Sequence, residues 1–385
     1  LEDAITRVVE ALGKSGGLAG IQEEMLTGFL ASLGPQTEHA VPPVAGGRAV
    51  LRGLGFVAPI VIFNLDSKQA AADAKQTAAA TGPSPAGQAA LQVAAGPTGA
   101  RRLVLDAKGT DRWVGVTPVR REGEGPSGDL AVNEAYDGLG LAYQFFREVF
   151  GRDSIDGAGM ELVAVVHYGT NWANAVWNGE SFIFGDGDGE LFLRTTAGLD
   201  VIGHEYAYAI LEFSVEFGST GQAGSLWQSL ADVFGVLTKQ YKLHQTAAEA
   251  DWLIGHDIAG PKLGLALRSL KQPGSAHPGD TQPSHMDQFV DSVDDSGVHI
   301  NSGILNHAFY LVAIAIEGYA WEKAGHIWYE AFSDPALNED ATFLTFAAAT
   351  SRATRRLYGE AIRELSAVTN AWAAVGIRVP AEAKP

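Results

Sequence analysis

The chain has 385 residues, with 45 Asp and Glu against 27 Lys and Arg, a formal charge of −18, and 46% apolar residues. Its length and apolar share allow two or three domains with ample core, while the acidic excess, without any Lys/Arg cluster, excludes nucleic acid and anionic membrane surfaces as partners. Cysteine is absent, which removes disulfides, thiol catalysis and Cys-ligated zinc and leaves His and carboxylates as the strong metal donors.

No uninterrupted apolar run reaches the roughly 18 to 20 residues of a membrane helix. No basic region followed by an apolar stretch marks a leader. The cytoplasm is therefore slightly favoured, and a chain beginning at Leu1 leaves a processed or omitted leader open. Residues 1–34 read as two amphipathic helices, one on Ile5, Val8, Val9 and Leu12, the other on Ile21, Met25, Phe29 and Leu30, separated by Gly16 and Gly17. Pro42 and Pro43 precede an apolar run at 55–63, an expected strand. Residues 67–99 are Ala/Gly/Gln/Pro-rich and read as a linker.

A new module begins near Arg101. Strands are expected at 103–106, 162–168 and 181–184, a helix at 135–150, and an acidic Gly-Asp-Gly-Asp-Gly turn at 185–189. From 199 onward the period is helical, with helices expected at 199–213, 223–242, 302–316, 321–332, 341–356 and 359–374. The Gly/Pro/His-rich stretch 271–303 is the one long irregular segment. The module is thus β-rich first and helical second, an α+β arrangement with a cleft expected between the halves.

The stretch Val-Ile-Gly-His-Glu-Tyr-Ala-Tyr at 201–208 carries the chemistry. On a helix His204 and Tyr208 share a face, with Glu205 beside them. This is one residue away from H-E-x-x-H, in which two His ligands hold zinc and the Glu is the general base. Taken alone, His-Glu on an apolar helix suits a structural histidine better than a metal ligand. Around it stand Trp-Gln-Ser-Leu-Ala-Asp at 227–232, Arg268, Asp-Asp-Ser-Gly-Val-His-Ile-Asn-Ser-Gly at 294–303, and Asn-Ala-Val-Trp-Asn-Gly at 174–179. Together these resemble the thermolysin-like metallopeptidases over residues 101–375. Arg-Glu-Gly-Glu-Gly at 121–125, Ala-Asp-Trp-Leu-Ile-Gly at 250–255 and Ala-Trp-Glu-Lys-Ala-Gly at 320–325 are similar to the protealysin-type subgroup.

The resemblance implies a two-lobed fold, with a β-rich lobe at 101–205, a helical lobe at 206–385 and a propeptide-like extension at 1–98. It makes His204 the first zinc ligand, Glu205 the water-activating base and Asp232 the carboxylate that orients His204. His299 matches the histidine that stabilises the transition state and Asp294 its partner. Arg268 matches the arginine that binds the substrate carbonyl, and Asn174 with Ala175 the edge that holds the peptide backbone. The second His ligand is replaced by Tyr208, the Glu ligand by Gln228, and the Asn before it by Trp227; Ser219 stands where a transition-state tyrosine is usual. A catalytic zinc site needs three protein ligands, so no zinc is expected.

Paired calcium is not expected either, because Lys239, Leu253 and His256 occupy matching positions; Asp200 and Asp251 remain there and read as surface carboxylates. Asp186 and Asp188 suit a solvated turn better than a calcium site, and His244, His256, His277 and His285 are too scattered for a metal cluster. Trp227 reads as core packing, or else as a wall that sets specificity. The expected function is a pseudopeptidase that binds peptide or protein in its cleft, with its own extension as one occupant. The alternatives are a repurposed catalyst using Glu205, Tyr208 and His299, or a residual metallo-endopeptidase with an unusual metal site.

Overall fold

A computed structural model describes residues 99–111, 115–291, 296–360 and 362–379. Contacts divide the chain at Val61/Ile62, and every described residue belongs to the second unit. The expectations for residues 1–98, among them the two amphipathic helices, the strand at 55–63 and the extension's place in the cleft, lie outside the described residues.

The first lobe is a five-stranded sheet with one long helix on it. Strands β1 (Arg102–Asp106), β2 (Thr117–Arg121), β3 (Leu162–Val166), β4 (Ala175–Trp177) and β5 (Phe182–Phe184) lie in the order β2-β1-β3-β5-β4. β3 is parallel to β1 and β5, and the outer strands are antiparallel to their neighbours. Alternation along β1 and β3 sends Val104, Leu162 and Ala164 into the main core and Leu103, Leu105, Val163 and Val165 into a second apolar cluster. Helix α1 (Leu130–Phe150) carries its buried stripe through Ala135, Leu139, Ala142 and Phe146. It starts five residues before the expected 135 because the Asp129 side chain caps it, accepting from Val132 N at 3.1 Å.

The second lobe consists of α2 (Leu199–Glu212), α3 (Gly221–Leu243), the two-stranded pair β6 (Leu253–Ile254) and β7 (Arg268–Ser269), then α4 (Ser296–Ile316), α5 (Ala324–Phe332), α6 (Phe343–Tyr358) and α7 (Ile362–Ala374). Helix α4 begins at 296, not at 302, so the irregular stretch is shorter than the composition suggests. Gly303 lies inside the helix, where an added Cβ would stand 2.7 Å from the Pro283 carbonyl oxygen. Close packing, rather than a turn, requires it. By length and composition α4 resembles a membrane span, yet 67% of that stretch is buried in the fold. Aromatic contacts tie the lobes: Phe146 of α1 stacks on Tyr206 of α2 and Phe150 on Tyr329 of α5, at 5.4 and 4.4 Å between centroids.

Two glycines set the distance between α2 and α3. A Cβ on Gly235 would lie 2.5 Å from the Asp200 carbonyl oxygen, and one on Gly203 3.1 Å from the Gly235 Cα. The helices therefore meet nearly backbone to backbone, which brings His204 against Asp232.

Candidate active site

Asp232 is the centre of the site. It is fully buried on α3, and its carboxylate accepts from Arg268 Nε and Nη2 at 2.9 and 2.7 Å, from His204 Nδ1 at 2.9 Å and from Asn306 Nδ2 at 2.8 Å. Burial opposes its charge, but the Arg268 guanidinium and His204 outweigh that and hold it well below the usual carboxylate range. The bond from Nδ1 to this carboxylate fixes the orientation of the His204 ring. Arg268 spends two nitrogens on Asp232 and retains Nη1 for another acceptor. Asn306 was not foreseen; it lies seven residues after His299 on α4, two turns along the same face, and that spacing was its one signal.

Glu205 is also buried, and its Oε2 accepts from Trp177 N at 2.8 Å. Burial pushes its carboxyl up to about 7, against the pull of His204 and Arg268. His299 on α4 is pushed down to about 3 by burial and by the nearby Arg268 and His204, so its ring is neutral. Asp294, expected beside it, lies outside the described residues.

β4 is an edge strand. Asn178 N bonds Ser181 O, Gly185 N bonds Asn174 O and Val176 is opposite Ile183, so Ala175 and Trp177 direct their backbone groups outward. The Ala175 N–H is taken by the Asn174 side chain at 2.9 Å and the Trp177 N–H by Glu205. The carbonyls of Ala175 and Trp177 face the outer edge, the pattern that receives an extended chain.

Tyr208 and Trp227 are half-buried, and Gln228 is buried. The Tyr208 ring lies between His204, 6.4 Å away, and Trp227, 5.0 Å away, while Trp227 Nε1 reaches the Phe217 carbonyl at 3.4 Å. Trp227 is thus a partly exposed neighbour of Tyr208 that packs against the main core. The family to which these motifs point uses zinc, and one imidazole with a phenol and a neutral amide does not suit that ion: a phenol of pKa about 10 and a carboxamide are weak donors. Among the described residues, no three His, Asp or Glu side chains form a group that could hold a metal.

A second buried carboxylate corrects an expectation. Asp200, read as a surface residue, is fully buried in the first turn of α2. Lys239 Nζ lies 3.3 Å from Asp200 Oδ2 and 2.9 Å from Asp251 Oδ2, with the Leu253 carbonyl at 3.4 Å. Burial disfavours the charge on Lys239, but the two carboxylates outweigh it and raise its pKa. Asp186 pairs with His167 Nδ1 at 2.9 Å, and Asp188 Oδ1 caps the N–H groups of residues 190–192, so both acids of the 185–189 turn bind within the protein.

A family profile described as thermolysin metallopeptidase, catalytic domain, matches residues 120–212, and one described as thermolysin metallopeptidase, alpha-helical domain, matches residues 216–377. An extracellular metalloprotease of Pectobacterium carotovorum subsp. carotovorum is 43% identical over 290 residues, 74% of this chain and 83% of that protein. Protease PrtS of Photorhabdus sp. (strain Az29) is 44% identical over 292 residues, 74% of this chain and 78% of that protein. A solved structure, the precursor of protealysin, a metalloproteinase from Serratia proteamaculans, superposes with a TM-score of 0.71 at 43% identity, covering 74% of this chain and 90% of the other. With its β-sheet lobe, its helical lobe and the His204-Glu205 helix at the site, the chain belongs to the thermolysin (M4) metallopeptidase family and is protealysin-like.

Proposed function

We propose that this chain holds a peptide or protein segment in its cleft without zinc-dependent hydrolysis. The observation that carries the reading is the donor set at the metal position, where Tyr208 and Gln228 replace one imidazole and one carboxylate. Without zinc, Glu205 has no acidified water to deprotonate, and water of pKa about 15.7 is a poor nucleophile at neutral pH. The groups that hold a backbone persist: the outward carbonyls of Ala175 and Trp177, the Asn174 amide and the Arg268 Nη1. No cofactor enters this reading.

The second reading is a working enzyme, in line with the relatives named as proteases. Its support is the buried Glu205 carboxyl, which burial pushes up to about 7, a range in which it can take and give a proton near neutral pH. The deciding experiment measures bound zinc by elemental analysis and peptide cleavage by mass spectrometry, for the parent and for a Tyr208→His/Gln228→Glu variant. Neither zinc nor turnover is expected in the parent, and both in the variant. Stoichiometric zinc with turnover in the parent would overturn the proposal.

A further inference from the structure

The cleft-facing stripe of α2 carries a combination not used above. His204, Tyr208 and Glu212 recur every fourth residue and share one face, and Glu205 lies two turns before Glu212. Trp177 ties both carboxylates to β4, its backbone N–H donating to Glu205 and its indole N–H to Glu212. Trp227 packs against Tyr208 from α3 with the two rings tilted by 41°. Helix α2 has no basic residue in its last turn, so its negative end adds to the charge of Glu212. Beside Trp227, Gln228 is 5% exposed, and among the described residues its amide forms no hydrogen bond.

We propose that Tyr208, Trp227 and Glu212 receive a basic side chain, Lys or Arg, from an extended peptide laid along the outer edge of β4. The assignment rests on the reading that the cleft holds peptide. A cation over the faces of Tyr and Trp is attracted by the ring quadrupoles, while the aliphatic stem covers ring surface. Glu212 and the end of α2 supply the opposite charge. The Gln228 carboxamide oxygen adds an acceptor for the ammonium or guanidinium. The net charge of −18 points the same way.

The test uses the full chain and fluorescein-labelled Gly/Ser/Leu peptides with one central Arg, Lys, citrulline or norleucine. Binding is read by fluorescence anisotropy and peptide integrity by mass spectrometry. Arg and Lys peptides are expected to bind roughly tenfold tighter than their neutral counterparts, a ratio that shrinks as salt is raised. In Trp227→Leu and in Glu212→Gln, each checked for native circular dichroism, the ratio is expected to fall to about threefold or less. Equal binding of intact Arg and citrulline peptides overturns the basic-residue assignment and leaves the peptide-holding reading standing. Cleavage overturns the non-hydrolytic reading, and the Arg-to-citrulline ratio of kcat/KM then decides this one. Binding of none of the peptides overturns both.

Discussion

Two aspartates of the α2–α3 interface, both fully buried, are neutralised in different ways. Asp232 is surrounded by four hydrogen-bond donors from three elements, and Arg268 and His204 hold it ionised. Asp200, one turn before His204, takes two backbone N–H groups, from Val201 and Gly255, and a longer contact to Lys239. Burial, only partly offset by Lys239, raises its pKa. The difference shows that burial alone does not set the state of a carboxylate; the number and charge of its donors do. It also shows that at both levels the chain brings its own cation.

Removing the better-supported carboxylate is expected to have the largest effect. Asp232→Ala strands the Arg268 guanidinium, itself 7% exposed, and should cost about 4–5 kcal/mol in urea unfolding at neutral pH. Because the folded pKa of Asp232 lies below the unfolded value near 3.9, its contribution is fully present above about pH 4 and fades as pH falls further. The gap between parent and variant should therefore narrow at pH 3, and a gap that stays constant would break the comparison.

Lys239→Met should cost less, about 3 kcal/mol, since Asp200, already shifted upward by burial, can take a proton in place of its lost partner. The double change Asp200→Asn/Lys239→Met should recover most of that loss in thermal unfolding. A double variant no more stable than the single one would show that Lys239 acts by packing instead.

Glu161 extends the comparison to a carboxylate with no donor. Both of its oxygens are buried without a hydrogen bond, and burial pushes the group up to about 7 despite Arg101 and Arg121. The folded state then keeps a proton that the unfolded chain releases near pH 4.3, so stability falls as pH rises from about 4 to 7. Glu161→Gln should gain about 1–2 kcal/mol over the parent at pH 8 and nothing at pH 4. Equal stability at both pH values would mean that donors count for less than argued.

Much of the site was legible because its residues stand in short motifs. His204 and Glu205 were found from residue type and spacing, as was the order of a sheet lobe before a helical lobe; Asp232, Arg268 and His299 came from the resemblance to the thermolysin-like family. Asn306 was not, since an amide within Ile-Leu-Asn-His carries no local sign that it points at a carboxylate 74 residues earlier. Asp200 was misread because aspartate is ordinarily a surface residue, and its partner Lys239 is 39 positions away. The start of α4 was misplaced because the Gly/Pro/His-rich composition of 271–303 was read as one irregular segment, whereas the helix already begins at 296 and Gly303 serves packing against Pro283.

The amino-acid sequence by itself determined which donor atoms exist: no thiol, one imidazole at 204, a phenol at 208 and an amide at 228. Those are covalent facts, and no folding changes them. Only the tertiary structure decided which charges meet. Asp232 joins His204, Arg268 and Asn306 across separations of 28, 36 and 74 residues. Those pairings depend on how closely two helices approach, and at Gly203 and Gly235 the absent side chains let the backbones come near enough for them to form.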